Sequence, residues 1–348
     1  MFLFYSDYLE GCHPAILERM QDTNLVQTPG YGEDEYCERA RVLIRSICGT
    51  PNADVHFLVG GTQSNTTVIS SVLRPHQGVM CAESGHINCH ETGAIEHSGH
   101  KVLPLAAKDG KISAESVDKA LTEHHQDASF EHMVQPAMLY ISFSTELGTI
   151  YSKDELVAIR KVCSKWNIQL FIDGARLGYG LASSECDLTI KDIASIADVF
   201  YIGGTKQGAL FGEAVVINNE SLKKDFRYMI KQNGGMLAKG RLLGIQFEVL
   251  FEDNLYFELA AHADKLAARL TDAFRENGYG FLVDSPTNQV FPILPKGVAE
   301  SLGKDFGFEL WQKVDSEHIG VRFCTSWATT DDQVDSLIMA INAIGKHY

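Results

Sequence analysis

Short apolar runs alternate with helical patterns through the central part of the chain. Seven runs of five to seven residues, rich in β-branched and aromatic side chains, predict strands. They lie at 54–59, 78–82, 101–105, 137–143, 168–173, 198–203 and 213–217. The stretches between them read as helices, as at 152–166, where Ser152 and Glu155 form a capping box ahead of an apolar stripe. This alternation predicts an α/β fold with a mostly parallel seven-stranded sheet covered on both faces.

The pattern changes in the last third of the chain. Residues 221–277 read as largely helical, with a break at 232–235. The elements predicted beyond them are strands at 289–294 and 320–327 and a last helix from Asp331 or Asp332. We therefore predict an N-terminal segment joined to a large domain, 1–250, and a smaller C-terminal α+β domain, 251–348.

Composition and charge exclude several classes of partner. The net charge of −15 argues against binding nucleic acid through general basicity, because neutralising phosphates needs clustered Lys and Arg. The longest apolar runs, such as 137–143, are far shorter than the roughly 20 residues of a membrane span. Eight scattered cysteines without a close pair indicate reduced thiols. We expect a cytoplasmic protein with neither a nucleic-acid nor a membrane partner.

Candidate chemistry follows three of the predicted strands, at the edge where open α/β sheets bind ligands. The first strand runs into GGTQSN, 60–65, where Gly60 and Gly61 permit close backbone approach. Thr62 and Gln63 add polar groups at a helix N-terminus, which suits a phosphate. Taken alone, a glycine turn with a helix cap explains this motif better.

An acid and a lysine follow two later strands. Asp173 ends a buried strand and needs a cation, which its neighbour Arg176 could equally well supply in a purely structural ion pair. Lys206 lies in GGTKQG, 203–208, although a solvated loop lysine is common. Together these groups fit pyridoxal phosphate, which needs a lysine for its Schiff base, an acid at its ring nitrogen and an amide-rich phosphate pocket.

Motifs along almost the whole chain support that combination. They are SDYLEGCHP, GYGEDEY, GGTQSN, GHINCHETGAIE, FIDGARL, YIGGTKQG and VRFCTSW. In this order they resemble the low-specificity L-threonine aldolases, a family of aspartate-aminotransferase-like (fold type I) pyridoxal phosphate enzymes. The resemblance implies that fold, and a carbon–carbon lyase that cleaves L-threonine and related L-3-hydroxy-amino acids by retro-aldol chemistry to glycine and an aldehyde.

The resemblance also implies residue roles. For the cofactor they are His86 stacked on the ring, Asp173 at its nitrogen, Lys206 as the Schiff-base lysine, and Gly61 and Thr62, with Gln63 beside them, at the phosphate. For the substrate they are Ser6, Arg176 and Arg322 on the carboxylate, with His132 near the hydroxyl and Tyr31 at the site. The family's sites form between subunits, so a homo-oligomer, dimer or tetramer, is implied, with Tyr31 and Lys231 at the interface.

The chain departs from the family pattern in two places. It reads Ser144-Thr145-Glu146 where many members have Thr-His-Asn, and it lacks the arginine of a GGGMRQ segment after Gly234-Gly235. Lys231 and Arg241 are the substitute candidates for phosphate contacts across subunits. The base is open among His86, His132 and water, and β-elimination, transamination or racemisation remain the rival reactions.

One stretch raises a non-catalytic alternative. Residues 81–100 contain side chains that bind metals, namely Cys81, Glu83, His86, Cys89, His90, Glu91, Glu96, His97 and His100. A metal-binding or regulatory protein could use them, but their spacings do not match structural zinc sites. We predict no metal, with the two cysteines in the core, His97 and His100 at the surface, and Glu91 as a candidate supporting partner.

His86 receives a separate interpretation. A strand ending near residue 82, a turn at Ser84-Gly85 and a helix from Asn88 onward would place His86 at a strand-to-helix turn. That turn lies on the same edge of the sheet as Asp173 and Lys206. A single imidazole there suits stacking on an aromatic ring better than metal ligation.

Overall fold

The computed structural model describes residues 1–345. The strands are β1 Phe2–Leu3, β2 Asp54–Leu58, β3 Gln77–Ala82, β4 Lys101–Leu105, β5 Gln135–Ser142, β6 Gln169–Asp173, β7 Val199–Gly203, β8 Glu213–Ile217, β9 Gly280–Phe281, β10 Gln289–Val290, β11 Pro292–Pro295, β12 Phe306–Gly307, β13 Glu309–Lys313 and β14 His318–Cys324.

The α-helices lie between these strands and cover their faces. They are α1 Pro14–Thr23, α2 Glu35–Cys48, α3 Gly61–Val72, α4 His86–Cys89, α5 Ala94–His97, α6 Ala114–Gln126, α7 Lys153–Trp166, α8 Leu177–Ala182, α9 Ile190–Ile196, α10 Phe226–Gln232, α11 Arg241–Glu252, α12 Leu255–Glu276, α13 Lys296–Leu302 and α14 Asp331–Gly345. Short 3₁₀ turns span Phe130–His132 and Glu220–Leu222.

A seven-stranded sheet organises the large domain. Its order is β2-β8-β7-β6-β5-β3-β4, and β8 alone runs antiparallel to its neighbours. All seven strands were predicted to within two residues. Because the other six are parallel, β2, β5, β6 and β7 end at one edge, where β8 begins. This confirms the predicted sheet and brings the strand ends that carry the candidate residues to one edge.

Two hydrophobic cores lie on opposite faces of this sheet. One face packs against α1, α2, α7, α9 and α11, and the other against α3, α5 and α10. The predicted capping box starts α7: Ser152 Oγ accepts the Glu155 N–H at 3.2 Å, and the Glu155 carboxylate accepts the Ser152 N–H at 2.8 Å. The helical region after residue 221 also breaks where predicted, between α10 and α11.

The small domain has a core and a sheet of its own. Its sheet has the order β10-β14-β11-β9, with β13 also on β14, and packs against α12, α13 and α14. The strand predicted at 289–294 is two strands, separated at Phe291. The helix α12 begins with Tyr256 in the large-domain core and continues with Leu266 and Leu270 in the small one.

The first residues of the N-terminal segment pack against the C-terminal elements. β1 pairs in parallel with β12, with Phe2 opposite Phe306, and Phe4 is buried in the small-domain core. Part of the predicted unit 1–250 therefore contacts the small domain. The boundary at residue 251 stays a prediction.

Candidate active site

A cavity of about 340 Å³ opens at the shared edge of β2, β5, β6 and β7. The predicted residues on its wall are Gly61, Thr62, His86, Asp173, Arg176 and Lys206. They come from separate parts of the chain, and the parallel strands bring them together because their carboxyl ends coincide. The sheet therefore assembles the cofactor residues that the sequence suggested.

Lys206 lies in the loop after β7, which a second acid holds in place. Glu213, the first residue of β8, accepts the Gly204 N–H at 3.3 Å and the Thr205 hydroxyl at 3.0 Å. Burial lowers the pKa of Lys206, and the nearby Arg176 guanidinium lowers it further, against the opposing pull of Asp7 and Asp173. A larger share of neutral amine results, which is the nucleophilic form.

Glu213 was not among the predicted site residues. Its side chain is buried at the cavity wall, and burial raises its pKa to about 8, although Lys206 opposes that shift. The sequence did carry a signal, because an acid at the start of the apolar strand EAVVI is costly unless it has a partner. The buried pair Lys206 and Glu213 thus lies beside the predicted cofactor position.

Asp173 ends β6 and is 4% exposed. It accepts the Ala175 N–H at 2.9 Å, the Asn65 amide at 3.2 Å and the Tyr140 hydroxyl. Asp173 does not form the ion pair with Arg176 that the sequence left open as an alternative. Three neutral donors compensate its charge, which leaves the carboxylate able to hold a protonated ring nitrogen.

Arg176 pairs with Asp7, a residue that sequence reasoning missed. Its Nε and Nη2 donate to the two Asp7 oxygens at 2.7 and 3.0 Å, and the Asn288 amide donates to the same carboxylate at 2.9 Å. Burial would raise the pKa of Asp7, but Arg176 and Lys206 hold it below its usual range. This fork fixes the guanidinium and leaves Nη1 free of hydrogen bonds within residues 1–345.

His86 is held at both its backbone and its ring. It begins the short helix α4, directly after the predicted turn at Ser84-Gly85 and two residues before the predicted helix start. Its N–H donates to Glu146 at 2.8 Å, and its Nδ1 lies 2.8 Å from the Glu91 carboxylate. Glu146 and Ser144 also line the cavity. In the sequence, these two residues stood out only as departures from the family pattern.

The predicted phosphate site lies where the N-terminus of α3 meets the cavity. The N-cap of α3, Gly60, has no side chain to satisfy the first amides of the helix, so these remain available for an anion. A Cβ at Gly61 would lie 3.2 Å from the Tyr201 hydroxyl, which explains the glycine. The Gln63 side chain forms hydrogen bonds with the backbone of Val59 and Asn233 and lies off the cavity wall, so its predicted role at the phosphate stays a prediction.

Two other predicted residues do not reach the cavity. His132 is exposed in the turn before β5, at the amino end of the strand, whereas the site lies at the carboxyl ends. Within one chain it cannot contact the substrate. Ser6 is buried beside Asp7 and is also absent from the wall.

Arg322 and Tyr31 also lie off the wall. Arg322, on β14, donates to Glu309 on β13 and to the Tyr5 carbonyl, the latter at 3.2 Å. Tyr31 is 48% exposed, with the Lys231 ammonium 5.2 Å from its ring centre. The other substitute candidate, Arg241, donates to the Thr23 carbonyl at 2.7 Å and to that of Val26.

The stretch 81–100 divides into unrelated environments. Cys81 is buried and His97 exposed, as predicted, but Cys89 is exposed and His100 buried, contrary to prediction. His100 is buried because it packs under β3, with its Nδ1 3.2 Å from the Gln77 carbonyl. Among residues 1–345, no three His, Cys, Asp or Glu side chains come together as a metal site.

The fold and cavity together define a class. A lysine with a lowered pKa, an acid held by neutral donors, an uncapped helix N-terminus and the unpartnered hydroxyl of Ser144 meet at one sheet edge. These groups fit pyridoxal phosphate at its carbonyl, ring nitrogen and phosphate. The protein is a pyridoxal-phosphate-dependent enzyme of fold type I.

Comparison with known proteins narrows the class to a family. The beta-eliminating lyase family model matches residues 4–295. A low-specificity L-threonine aldolase from Pseudomonas sp. (strain NCIMB 10558) is 32% identical over 347 residues, covering 98% of this chain and 97% of the relative. The chain belongs to the beta-eliminating lyase family and is a pyridoxal-phosphate-dependent lyase.

Solved structures agree. A Leishmania major threonine aldolase is 44% identical and superposes with a TM-score of 0.96, over 99% of this chain and all of that one. Aspartate aminotransferase from Thermus thermophilus, at 14% identity and a TM-score of 0.72, covers 99% of this chain and 91% of its own and shares the fold. The predicted family, fold class and cofactor are confirmed.

Proposed function

We propose that the protein cleaves L-threonine, L-allo-threonine and related L-3-hydroxy-amino acids to glycine and an aldehyde such as acetaldehyde. The observation that carries this proposal is one cavity containing Lys206, Asp173 and a forked Arg176 in a chain related over its whole length to threonine aldolases. Transamination, racemisation and β-elimination share the first two residues, so they remain outcomes of the test.

The cofactor residues have separate tasks. Bound pyridoxal phosphate supplies an electron sink for the bond that breaks at the amino acid's Cα. Lys206 provides the amine that attaches the cofactor, and its lowered pKa favours the reactive neutral form. Asp173 holds the proton on the ring nitrogen, and the first amides of α3 bind the phosphate.

Arg176 is proposed to select the bond that breaks. Asp7 immobilises one edge of its guanidinium, so Nη1 can bind the substrate carboxylate from a fixed direction. A fixed carboxylate sets the rotation about the substrate's N–Cα bond and can hold the Cα–Cβ bond perpendicular to the ring. Ser6, Tyr31 and Arg322 stay proposals for the substrate, which would need movement or a second subunit.

His86 is proposed to accept the proton of the 3-hydroxyl. Among the described residues, His86 is the histidine on the cavity wall, whereas His132 lies at the opposite edge of the sheet. The Nδ1 atom of the His86 ring contacts the Glu91 carboxylate. The other nitrogen can take a proton as the Cα–Cβ bond breaks. Stacking on the cofactor ring would keep the imidazole close to the reacting atoms.

The test is product analysis with the reconstituted enzyme and L-threonine. Acetaldehyde and glycine in equal amounts are the expected result. Formation of 2-oxobutanoate would instead indicate elimination, and formation of D-allo-threonine without cleavage would indicate racemisation at Cα. L-Serine serves as a matched substrate that lacks only the methyl group.

We also infer a cytoplasmic homo-oligomer, a dimer or tetramer. Six of the eight cysteines are buried free thiols, which suits a reducing compartment. The exposed pair of Tyr31 and Lys231 suits contact with a second subunit. No helix within residues 1–345 has the length and apolarity to cross a bilayer. Sedimentation equilibrium should give a multiple of 38.4 kDa.

A further inference from the structure

A buried polar chain runs behind the cavity from His86 to Asp173. The Glu91 side chain is fully buried, and its Oε1 lies 2.8 Å from His86 Nδ1 and 2.7 Å from Asn65 Nδ2. The same Asn65 nitrogen donates to Asp173 at 3.2 Å. One carboxylate therefore contacts the histidine, and one amide joins it to the acid for the ring nitrogen.

The chemistry of these groups fixes the direction of each hydrogen bond. Asn65 must turn its nitrogen toward two carboxylates, because its oxygen would repel both. Glu91 then accepts at Oε1 from Asn65 and from His86. In the neutral ring of His86 the proton must therefore be on Nδ1, which leaves a free lone pair on Nε2.

A purely structural role explains this chain poorly. Among residues 1–345, Glu91 Oε2 and Asn65 Oδ1 are buried and have no hydrogen-bond partner. Each such atom costs roughly 1–3 kcal/mol, and apolar side chains of similar volume would often be at least as stable. A polar arrangement that costs stability beside a reaction centre indicates a role in the reaction.

We propose that Glu91 is a positioning residue that holds His86 in its Nδ1–H form and presents Nε2 to the substrate's 3-hydroxyl, with Asn65 tying the same carboxylate to Asp173. This inference rests on the proposed function, in which His86 accepts the hydroxyl proton. The proton moves from the substrate oxygen to Nε2, the Cα–Cβ bond pair passes to the cofactor, and the aldehyde carbonyl forms.

The test reads the tautomer directly. In the holoenzyme labelled with ¹⁵N-histidine, at a pH where the ring is neutral, His86 should show a protonated Nδ1 and a bare Nε2. Its signals are assigned by their loss in His86→Asn. In Glu91→Leu the proton should move to Nε2, the form that an unpartnered ring favours, and kcat on L-threonine should fall roughly tenfold to a hundredfold with little change in KM.

Two variants provide the controls. Glu91→Gln keeps an acceptor oxygen and should retain the Nδ1–H tautomer; if Glu91→Leu does not fold, Glu91→Ala replaces it and should show the same move of the proton to Nε2. Glu96→Leu removes an exposed carboxylate nearby and should change neither tautomer nor kcat. A wild-type ring protonated on Nε2, or a tautomer unchanged in Glu91→Leu, would overturn the proposal.

The two proposals can fail separately. If L-threonine is not cleaved but the tautomer responds to Glu91 as expected, the reaction is wrong and the positioning role stands. If acetaldehyde forms and the tautomer ignores Glu91, the positioning role is wrong and the reaction stands.

Discussion

Lys206 is the residue on which the chemistry depends most directly. Lys206→Ala removes the only amine on the cavity wall among the described residues. We expect the loss of a borohydride-reducible bond to the cofactor and a fall in kcat of at least about 10²–10⁴. Peptide mapping after reduction measures the bond, and Lys224→Ala, at an exposed lysine, is the control. A labelled Lys206 peptide missing from the wild type would contradict the assignment.

Glu213 gives the folded chain a pH-dependent stability. Its pKa rises from an ordinary 4.5 to about 8, first through burial, so between these pH values the folded chain keeps a proton that the unfolded chain has lost. Its contribution is complete below pH 4.5 and is lost as the pH rises through about 8.

Replacing this carboxyl tests that dependence. Denaturant unfolding from pH 5 to 9 should show Glu213→Gln losing less stability than the wild type, by roughly 1–3 kcal/mol across the window. Glu18→Gln, at an exposed acid, should follow the wild-type curve. Parallel curves for wild type and Glu213→Gln would show that Glu213 titrates normally in the folded chain.

At the residue scale, sequence patterns located the groups at strand ends but not their partners. Asp173 and Lys206 were predictable because parallel strands share one edge. Asp7 was not, since its partner Arg176 is 169 positions away and no local pattern links them. The position of His132 was not predictable, because a motif resemblance does not say at which end of a strand a residue lies; it lies in the turn before β5.

The contact between α2 and α11 depends on one glycine. A Cβ at Gly244 would lie 2.6 Å from the backbone N and Cα of Cys37 and 2.5 Å from its sulfur. Backbone atoms cannot move aside locally, so the helices would have to separate. In a helix interior, alanine normally stabilises the protein by about 1 kcal/mol relative to glycine. A lower free energy of unfolding in Gly244→Ala would therefore be due to the packing of the two helices.

We expect Gly244→Ala to lower the free energy of unfolding by roughly 1–3 kcal/mol. Gly280→Ala is the matched control, because nothing lies within 4 Å of its added Cβ, and it should change stability by less than about 1 kcal/mol. Urea unfolding followed by circular dichroism compares them. Equal stability of Gly244→Ala and wild type would mean that the helices tolerate a wider spacing.

At the element scale, the large sheet, the strand β14 and the helix α14 were predictable, but the edge strands of the small domain were not. Buried parallel strands are continuous apolar runs, which stand out from their flanking helices. The strands β12 and β13 are short or exposed, and β13 has the pattern of a surface segment, with Leu310 64% exposed. Such edge strands are defined by their partners more than by their own residues.

The ion pair between Asp7 and Arg176 connects the N-terminal segment with the large domain, and Asn288 adds a contact from the small domain. Asp7 lies in the N-terminal segment, Arg176 follows β6 in the large domain, and Asn288 precedes β10 in the small one. Asp7→Asn leaves the buried guanidinium without its counter-charge, which should cost about 3–5 kcal/mol. Asp22→Asn, at an exposed acid, is the control in the same unfolding measurement. An unchanged stability in Asp7→Asn would mean that another group neutralises Arg176.

The return of the N-terminal segment to the small domain has a consequence for synthesis on the ribosome. Asp7 leaves the ribosome early, but its partner Asn288 lies 281 positions later in the chain. In the same way, β1 can pair only after β12 has been synthesised. The large sheet can form first from its sequential βαβ units, whereas the guanidinium fork is completed only when the chain is nearly finished. A nascent chain can therefore contain a folded large sheet before Asn288 completes the contacts of Asp7, so the proposed substrate-binding arrangement is completed after the sheet has formed.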